Sequence, residues 1–178
     1  MMRMEIGGSA FRLETAAVSA LRYRAEYGES VVVAMARPGG LRALEGRLLR
    51  MCRMMIPAPE RPELEELARL ARRDGDFVRK GLRARDALLA GDESMEKWLT
   101  ASDGGGDFDE YEIVCALMAA GVDLRLLWEL PLLHLAGLAG RYIALRDPDS
   151  KTYRKLSREE MRCLYPGAKR RGKAQGHG

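Results

Sequence analysis

Histidine is nearly missing from this sequence. Its 178 residues hold two, His134 and His177, so the usual general base near neutral pH is absent from almost every position. His177 lies in the C-terminal tail. His134 stands in a leucine-rich stretch with no partner for catalysis or ligation nearby, and a packed structural role is the expectation for it. Cysteine is scarce as well: Cys52, Cys115 and Cys163 are odd in number and far apart, which argues against both a disulfide framework and a zinc site. Each falls on an expected helix among apolar neighbours, so all three are expected as reduced thiols packed like small core residues. Long apolar runs are lacking too. The stretch Leu126 to Leu138 is interrupted by Glu129, Pro131 and His134 and falls short of the roughly 20 apolar residues that a bilayer span needs. The N-terminal MMRMEIGGSAFRLET has no apolar signal region and no small-residue cleavage site, which makes a cytoplasmic location the expectation.

The motifs that carry chemistry are also absent. No HExxH, CxxC, GxSxG, P-loop or EF-hand pattern occurs. Gly104 to Gly106 follow no strand and lack the lysine and hydroxyl residue of a phosphate-binding loop. Asp103, Asp107, Asp109 and Glu110 do not have the spacing of a calcium loop, and a solvated linker leading into a helix cap accounts for them. No catalytic residue, cofactor or metal is therefore expected, and an enzyme is not the favoured class.

Charge narrows the choice further. The formal net charge is +4, but Lys169, Arg170, Arg171 and Lys173 lie in a glycine-rich tail without acids. Of the 30 basic residues, 26 remain when these four are set aside, against 26 acidic ones, so the body is neutral. Nucleic acid is not the partner such a distribution favours, because a binding domain carries its basic excess on a folded face. Aromatics are 6% of the chain, whereas methionine, which fills irregular gaps and suits adaptable surfaces, occurs 10 times.

Periodicity predicts a mainly α protein: a multi-helix bundle with a small N-terminal β-hairpin and a disordered basic C-terminal tail. Met2 to Ile6 and Ala10 to Glu14 alternate around Gly7-Gly8, as a hairpin requires. Thr15 is the expected cap of a helix Ala16 to Tyr27, packed through Val18, Leu21 and Ala25 and stopped by Gly28. Ser30 to Ala36 is left open between helix and strand by its run Val31-Val32-Val33. Leu41 to Ile56 is amphipathic, with Leu44, Leu48, Met51 and Met55 at helical spacing and Arg42, Arg47, Arg50 and Arg53 between them, and Pro57, Pro59 and Pro62 end it. Helices over Glu63 to Arg73 and Asp76 to Ala90 follow, the second packing through Phe77, Leu82, Leu88 and Leu89, with a short piece around Met95 to Leu99 after them.

The run Ser102 to Asp107 is the clearest boundary. It divides the chain into residues 1–101, the hairpin with a helical region; 102–107, a glycine-rich linker; 108–166, a second helical region; and 167–178, the basic tail. In the third part, Asp109 is an N-cap with Glu112 as its capping-box partner and Phe108 and Ile113 as a hydrophobic staple. The helix ends at Gly121, Asp123 caps a short helix through Leu130, and Pro131 starts a third. Ser157 to Glu160 gives another capping box.

Two segments carry a family resemblance. FRLETAAVSALRYRAEYGESVV, with Leu21-Arg22-Tyr23-Arg24 and Tyr27-Gly28, and YEIVCALMAAGVDLRLLWELPLLHLAGLAGRYIALRD, where a Gly-hydrophobic-Asp-Leu turn leads into an apolar helix, resemble the tail assembly chaperones of long-tailed bacteriophages and prophages. The resemblance covers roughly 60 residues, all of them helix-compatible or turn residues. It implies a non-enzymatic protein that coats the hydrophobic tape measure protein during virion assembly, with self-association and contact with the tail tube protein as further partners. For that role an apolar groove is expected at Leu127, Trp128, Leu132, Leu133 and Leu135, with Met51, Met54 and Met55 as a second, adaptable surface. The competing reading of these residues is burial in the protein's own core. The alternative function is a small helical nucleic-acid-associated regulator that uses Arg42, Arg47, Arg50 and Arg53 together with the tail.

Overall fold

Helix α3 (Leu41–Met55) is the element around which the other helices of residues 1–90 are laid. Its apolar residues recur at three and four positions, so one broad face is buried through Leu48, Met51, Cys52, Met54 and Met55. Helices α1 (Ala17–Tyr27), α2 (Val31–Ala36), α4 (Leu64–Arg72) and α5 (Phe77–Leu88) all pack against it. The structure, a computed structural model, describes residues 1–90 and 109–146. The expected piece at Met95 to Leu99, the glycine run, Phe108, Cys163, the capping box at Ser157 and the basic tail lie outside the described residues.

Strands β1 (Met2–Ile6) and β2 (Ser9–Leu13) pair antiparallel, in register from Met2 opposite Leu13 to Ile6 opposite Ser9. Met4, Ile6 and Leu13 point into the core, as alternation requires. The two turn residues, Gly7 and Gly8, have φ of 56° and 88°, values that match a tight hairpin to the twist of its strands and that side-chain-bearing residues avoid. Gly7 meets a further constraint. A Cβ there would lie 2.4 Å from the carbonyl oxygen of Leu70 in α4, so the turn can seat against the helix only without a side chain. Lys80 of α5 donates to the Glu5 carbonyl (2.9 Å) and to Asp74 (2.7 Å), and Asp74 accepts from the Gly7 N–H (3.3 Å), which ties the turn to the α4–α5 connection.

Helix α1 departs from expectation at both its cap and its buried face. Thr15 does not cap it: Ala16 stands at the N-cap without a side-chain bond, and the Thr15 hydroxyl accepts from the N-terminal amine (3.4 Å). The buried side is Ala17, Val18, Ala20 and Tyr23, with Leu21 half-buried and Ala25 exposed. The helix is turned so that its largest side chain, the fully buried Tyr23, enters the core and stacks obliquely 4.8 Å from Tyr27. Gly28 ends it in the left-handed region (φ 70°).

The Val31-Val32-Val33 run is helical. Ser30 accepts from the N–H groups of Val32 (3.1 Å) and Val33 (3.5 Å), an N-cap that outweighs the mild helix penalty of β-branching. Helix α5 packs through Phe77, Gly81, Ala84 and Leu88, with Leu82 only partly buried; Gly81 lets the helix lie directly on Leu48 of α3.

Beyond residue 108 come α6 (Glu110–Ala119), a 3-10 turn (Leu124–Trp128) and α7 (Leu132–Arg146). Asp109 caps α6 through the Tyr111 N–H (2.8 Å), at the second helical position and not at Glu112, so the bond differs from that of a capping box. Gly121 (φ 70°) closes the end, Asp123 caps the 3-10 turn through Arg125 (2.9 Å), and the Pro131 carbonyl accepts from Leu135 in the first turn of α7. Residues on the two sides of 102–107 share one core, in which Tyr23, Leu48 and Met51 join Ile113, Leu117, Leu132 and Leu135. Backbone bonds from Glu14 to Met55 (2.7 Å) and from Ala17 to Leu130 (2.9 Å) fix the start of α1 between them.

The two turn glycines are expected to differ sharply on substitution. Gly7→Ala adds a backbone clash to an unfavourable φ and should lose about 2 kcal/mol or more in urea unfolding, while Gly8→Ala, with open space around it, should lose about 1 kcal/mol.

Candidate functional site

The region that presents an unusual surface, α6 to α7, is held in place by a buried carboxylate. Glu110, the first residue of α6, is 0% exposed. One of its oxygens accepts from the Ser30 hydroxyl (2.6 Å) and the Val31 N–H (3.1 Å), so it sits across the start of α2. The other accepts from Arg24 (3.2 Å), whose second nitrogen reaches Asp109 (3.0 Å). The same guanidinium lies 5.5 Å over the Tyr111 ring. Burial pushes the Glu110 carboxyl up from its ordinary value, and the Ser30 hydroxyl, its own backbone, Arg24 and the Val31 N–H pull against that rise.

With Glu110 turned inward, the opposite side of α6 faces out. Tyr111, Cys115 and Met118 follow one another at four and three residues and are exposed, while Glu110, Ile113 and Leu117 form the buried stripe. Trp128, Leu138 and Leu145 add further exposed apolar side chains from the 3-10 turn and α7. Five of the seven large exposed hydrophobic residues among the described ones thus fall within 109–146, the others being Met1 and Leu41. Tyr142 donates from its hydroxyl to the Ala119 carbonyl (3.0 Å), which joins the end of α6 to α7 on this side.

The residues expected to form a groove are mostly elsewhere. Leu127, Leu132, Leu133 and Leu135 are buried, so they serve the core and are not open to a partner; Trp128 alone of that group is at the surface, 57% exposed. Met51, Met54 and Met55 are buried in the face of α3 that every neighbouring helix covers, and they offer no adaptable surface. Tyr111, Met118, Leu138 and Leu145 went unnoticed in the sequence. The signal available for them was that α6 and α7 are apolar nearly all round, which leaves apolar side chains on the outside once one stripe is buried.

The basic face expected on α3 does not form. Arg53 donates to the Pro62 carbonyl (3.0 Å) and Glu26 (3.1 Å), Arg50 lies over Tyr27 and 4.0 Å from Glu29, Arg47 is buried, and only Arg42 is exposed. His134 is half-buried, with a buried Nδ1 that has no hydrogen-bond partner among the described residues. Asp109 and Glu110 are both engaged by Arg24. Among the described residues no group of three or more His, Cys, Asp or Glu is placed to hold a metal ion, and no helix is long and apolar enough to cross a membrane. A hollow of about 450 Å³ lies beside the hairpin turn, lined by Glu5, Gly7, Arg73, Asp74, Asp76 and Lys80 among others. Burial would raise the Asp74 carboxyl, but Lys80 and the Gly7 and Asp76 N–H groups hold it below the usual carboxylate range, as suits a structural latch. No protein-family model, curated protein or solved structure matches the chain.

Two outcomes follow from these environments. A carboxyl raised in the folded state binds its proton more tightly than in the unfolded chain, so its contribution to stability is full below the unfolded value of 4.5 and is lost as pH rises through the higher folded value. Glu110→Gln cannot lose it, so the stability of this variant relative to wild type should improve as pH rises from about 4.5, measured as the difference between paired urea melts across pH. The cysteines should separate by reactivity. Cys52 is buried, with its thiol pushed up to about 12, whereas Cys115, expected in the core, is exposed. Iodoacetamide followed by mass spectrometry should modify Cys115 in the native protein and leave Cys52 intact until unfolding.

Proposed function

We propose that this chain is a non-enzymatic tail assembly chaperone of a long-tailed phage or prophage, which holds the tape measure protein in a soluble state until the tail tube assembles around it. The observation that carries this reading is the concentration of exposed apolar side chains on α6, the 3-10 turn and α7, in the segment whose sequence resembles the late helices of that family. A tape measure protein presents long helices with apolar stripes, and the exposed Tyr111 and Met118 of α6, Trp128 of the 3-10 turn and Leu138 and Leu145 of α7 are side chains suited to cover them. Trp and Tyr add large contact area at low entropic cost, and Met118 adds the adaptability that the buried methionines of α3 cannot. The partner surface thus consists of Trp128 with side chains on the outer faces, in place of the leucines around it. The regulator reading draws no support from α3, whose Arg50 and Arg53 face acidic partners of the same chain.

Co-expression with a tape measure protein, followed by pulldown at low and high salt, tests the proposal. Complex formation should resist salt, because it rests on apolar area and not on displaced counterions. The triple variant Met118→Ser, Trp128→Ser, Leu145→Ser should abolish rescue of tape measure solubility. Its unfolding free energy should move by no more than about 1 kcal/mol, since all three side chains are at the surface. A chain that co-purifies only with nucleic acid, and loses it as salt rises, would turn the assignment to the regulator.

A further inference from the structure

The connection from α2 to α3 is Arg37-Pro38-Gly39-Gly40, and α3 starts from it without a cap. Gly40 stands at the N-cap in extended conformation and has no side chain to accept from the first N–H groups. The first turn holds no acid and carries Arg42 at its second position. Three other helices are provided for differently: α2 has Ser30, α4 has Glu65 and Glu66, and α6 has Asp109, Glu110 and Glu112, whereas α1 and α5 share with α3 the lack of a side-chain cap bond and of a first-turn acid. A 15-residue helix therefore begins without a side-chain cap among the described residues, with a positive partial charge and a cation beside it.

Arg47 supplies the second observation. It is 7% exposed, yet its Nε is buried without a hydrogen-bond partner among the described residues, whereas Arg50 and Arg53 of the same helix have Glu29 and Glu26 near them. A buried guanidinium without a counter-charge is costly to maintain. Helical side chains lean toward the N-terminus, and this one reaches back to the loop. A Cβ on Gly39 would lie 3.2 Å from one terminal nitrogen of Arg47 and 3.7 Å from the other, so the fork rests on the glycine that precedes the N-cap. Over Gly40 there is open space, with no atom within 4 Å of where a Cβ would stand.

We propose that Gly39, Gly40, the N-terminus of α3 and the Arg47 guanidinium form a binding site for a phosphate group, taken as free phosphate or as the terminal phosphomonoester of a small molecule. The donors outnumber what one carboxylate can accept. The N–H groups of the first turn and the planar fork of Arg47, which lies beside Gly39, are donors of the kind that three oxygens of a tetrahedral anion would take up. Gly39 leaves room for the fork, Gly40 leaves room for the anion, and Arg42 lies at the rim. The site accommodates one phosphate, not a polynucleotide backbone, because the next two arginines along α3 are turned to acids of this chain.

The test is an amide NMR titration of the full chain with inorganic phosphate, against sodium chloride at equal ionic strength. Saturable shifts at residues 39–43 and at the Arg47 Nε–H are expected. Adenosine monophosphate distinguishes the sources: equal affinity and the same shifts indicate a site for the bare anion, while tighter binding with added shifts indicates a phosphomonoester ligand. Gly40→Asp places a carboxylate over the same N–H groups in a backbone conformation that an aspartate N-cap adopts. It should raise the melting temperature and weaken phosphate binding by about tenfold or more. Arg47→Lys keeps the charge, loses the fork and should also weaken binding. Shifts confined to residues 169–173, or Gly40→Asp and Arg47→Lys binding as tightly as wild type, would overturn the site.

Discussion

A single buried carboxylate ties together three helices that also share the apolar core, and it sets how they face one another. Glu110 accepts bonds from the start of α2 and from the end of α1, and it does so from the first turn of α6, where a negative charge is already favoured by that helix's own dipole. The group is thus placed at the N-termini of two helices at once. Its burial is costly for the ionised form, which is why hydroxyl, amide and guanidinium donors surround it. Removal of any one donor would leave the others facing an under-satisfied charge, so the cluster acts as a unit. Through it, the inner stripe of α6 faces the core.

The exposed apolar side chains depend on that orientation. Helices α6 and α7 carry apolar residues on both sides, so the hydrophobic effect alone would stabilise several rotations about each helix axis. The polar contacts select among them. Glu110 inward commits Ile113 and Leu117 to the core and Tyr111, Cys115 and Met118 to the surface. On α7, Leu132, Leu133, Leu135 and Ala139 are inside, and Leu138 and Leu145 remain outside.

The elements themselves were legible from local signals. Gly7-Gly8 between alternating segments specified the hairpin, Gly28 and Gly121 the left-handed ends of their helices, Pro57 the end of α3, and Asp109 and Asp123 their caps. Orientation was less legible, because it rests on partners distant in sequence. Thr15 looked like a cap, but the chain enters α1 one residue later. Val31 to Val33 carried no decisive preference, and the helix there is fixed by Ser30 and by a carboxylate 79 residues away. Arg47 has the spacing of a solvent-facing arginine, and nothing nearby in sequence marks it as buried. The leucines from Leu127 to Leu135 were indistinguishable by type from those on the outer face, since a helix that is apolar all round gives its periodicity no phase.

The clamp also orders events during synthesis. Ser30 and Arg24 lie 80 and 86 residues ahead of the glutamate they bind. At roughly 5–20 residues per second, the ribosome needs about 4–16 s to supply it. Through that interval the hairpin and α3 can gather their neighbours, while the polar end of α1 and the start of α2 lack their acceptor. Closure of this core is therefore a late step of translation, and a chain cut short before residue 110 would keep α1 and α2 on α3 but lack the cover that α6, the 3-10 turn and α7 give to α1.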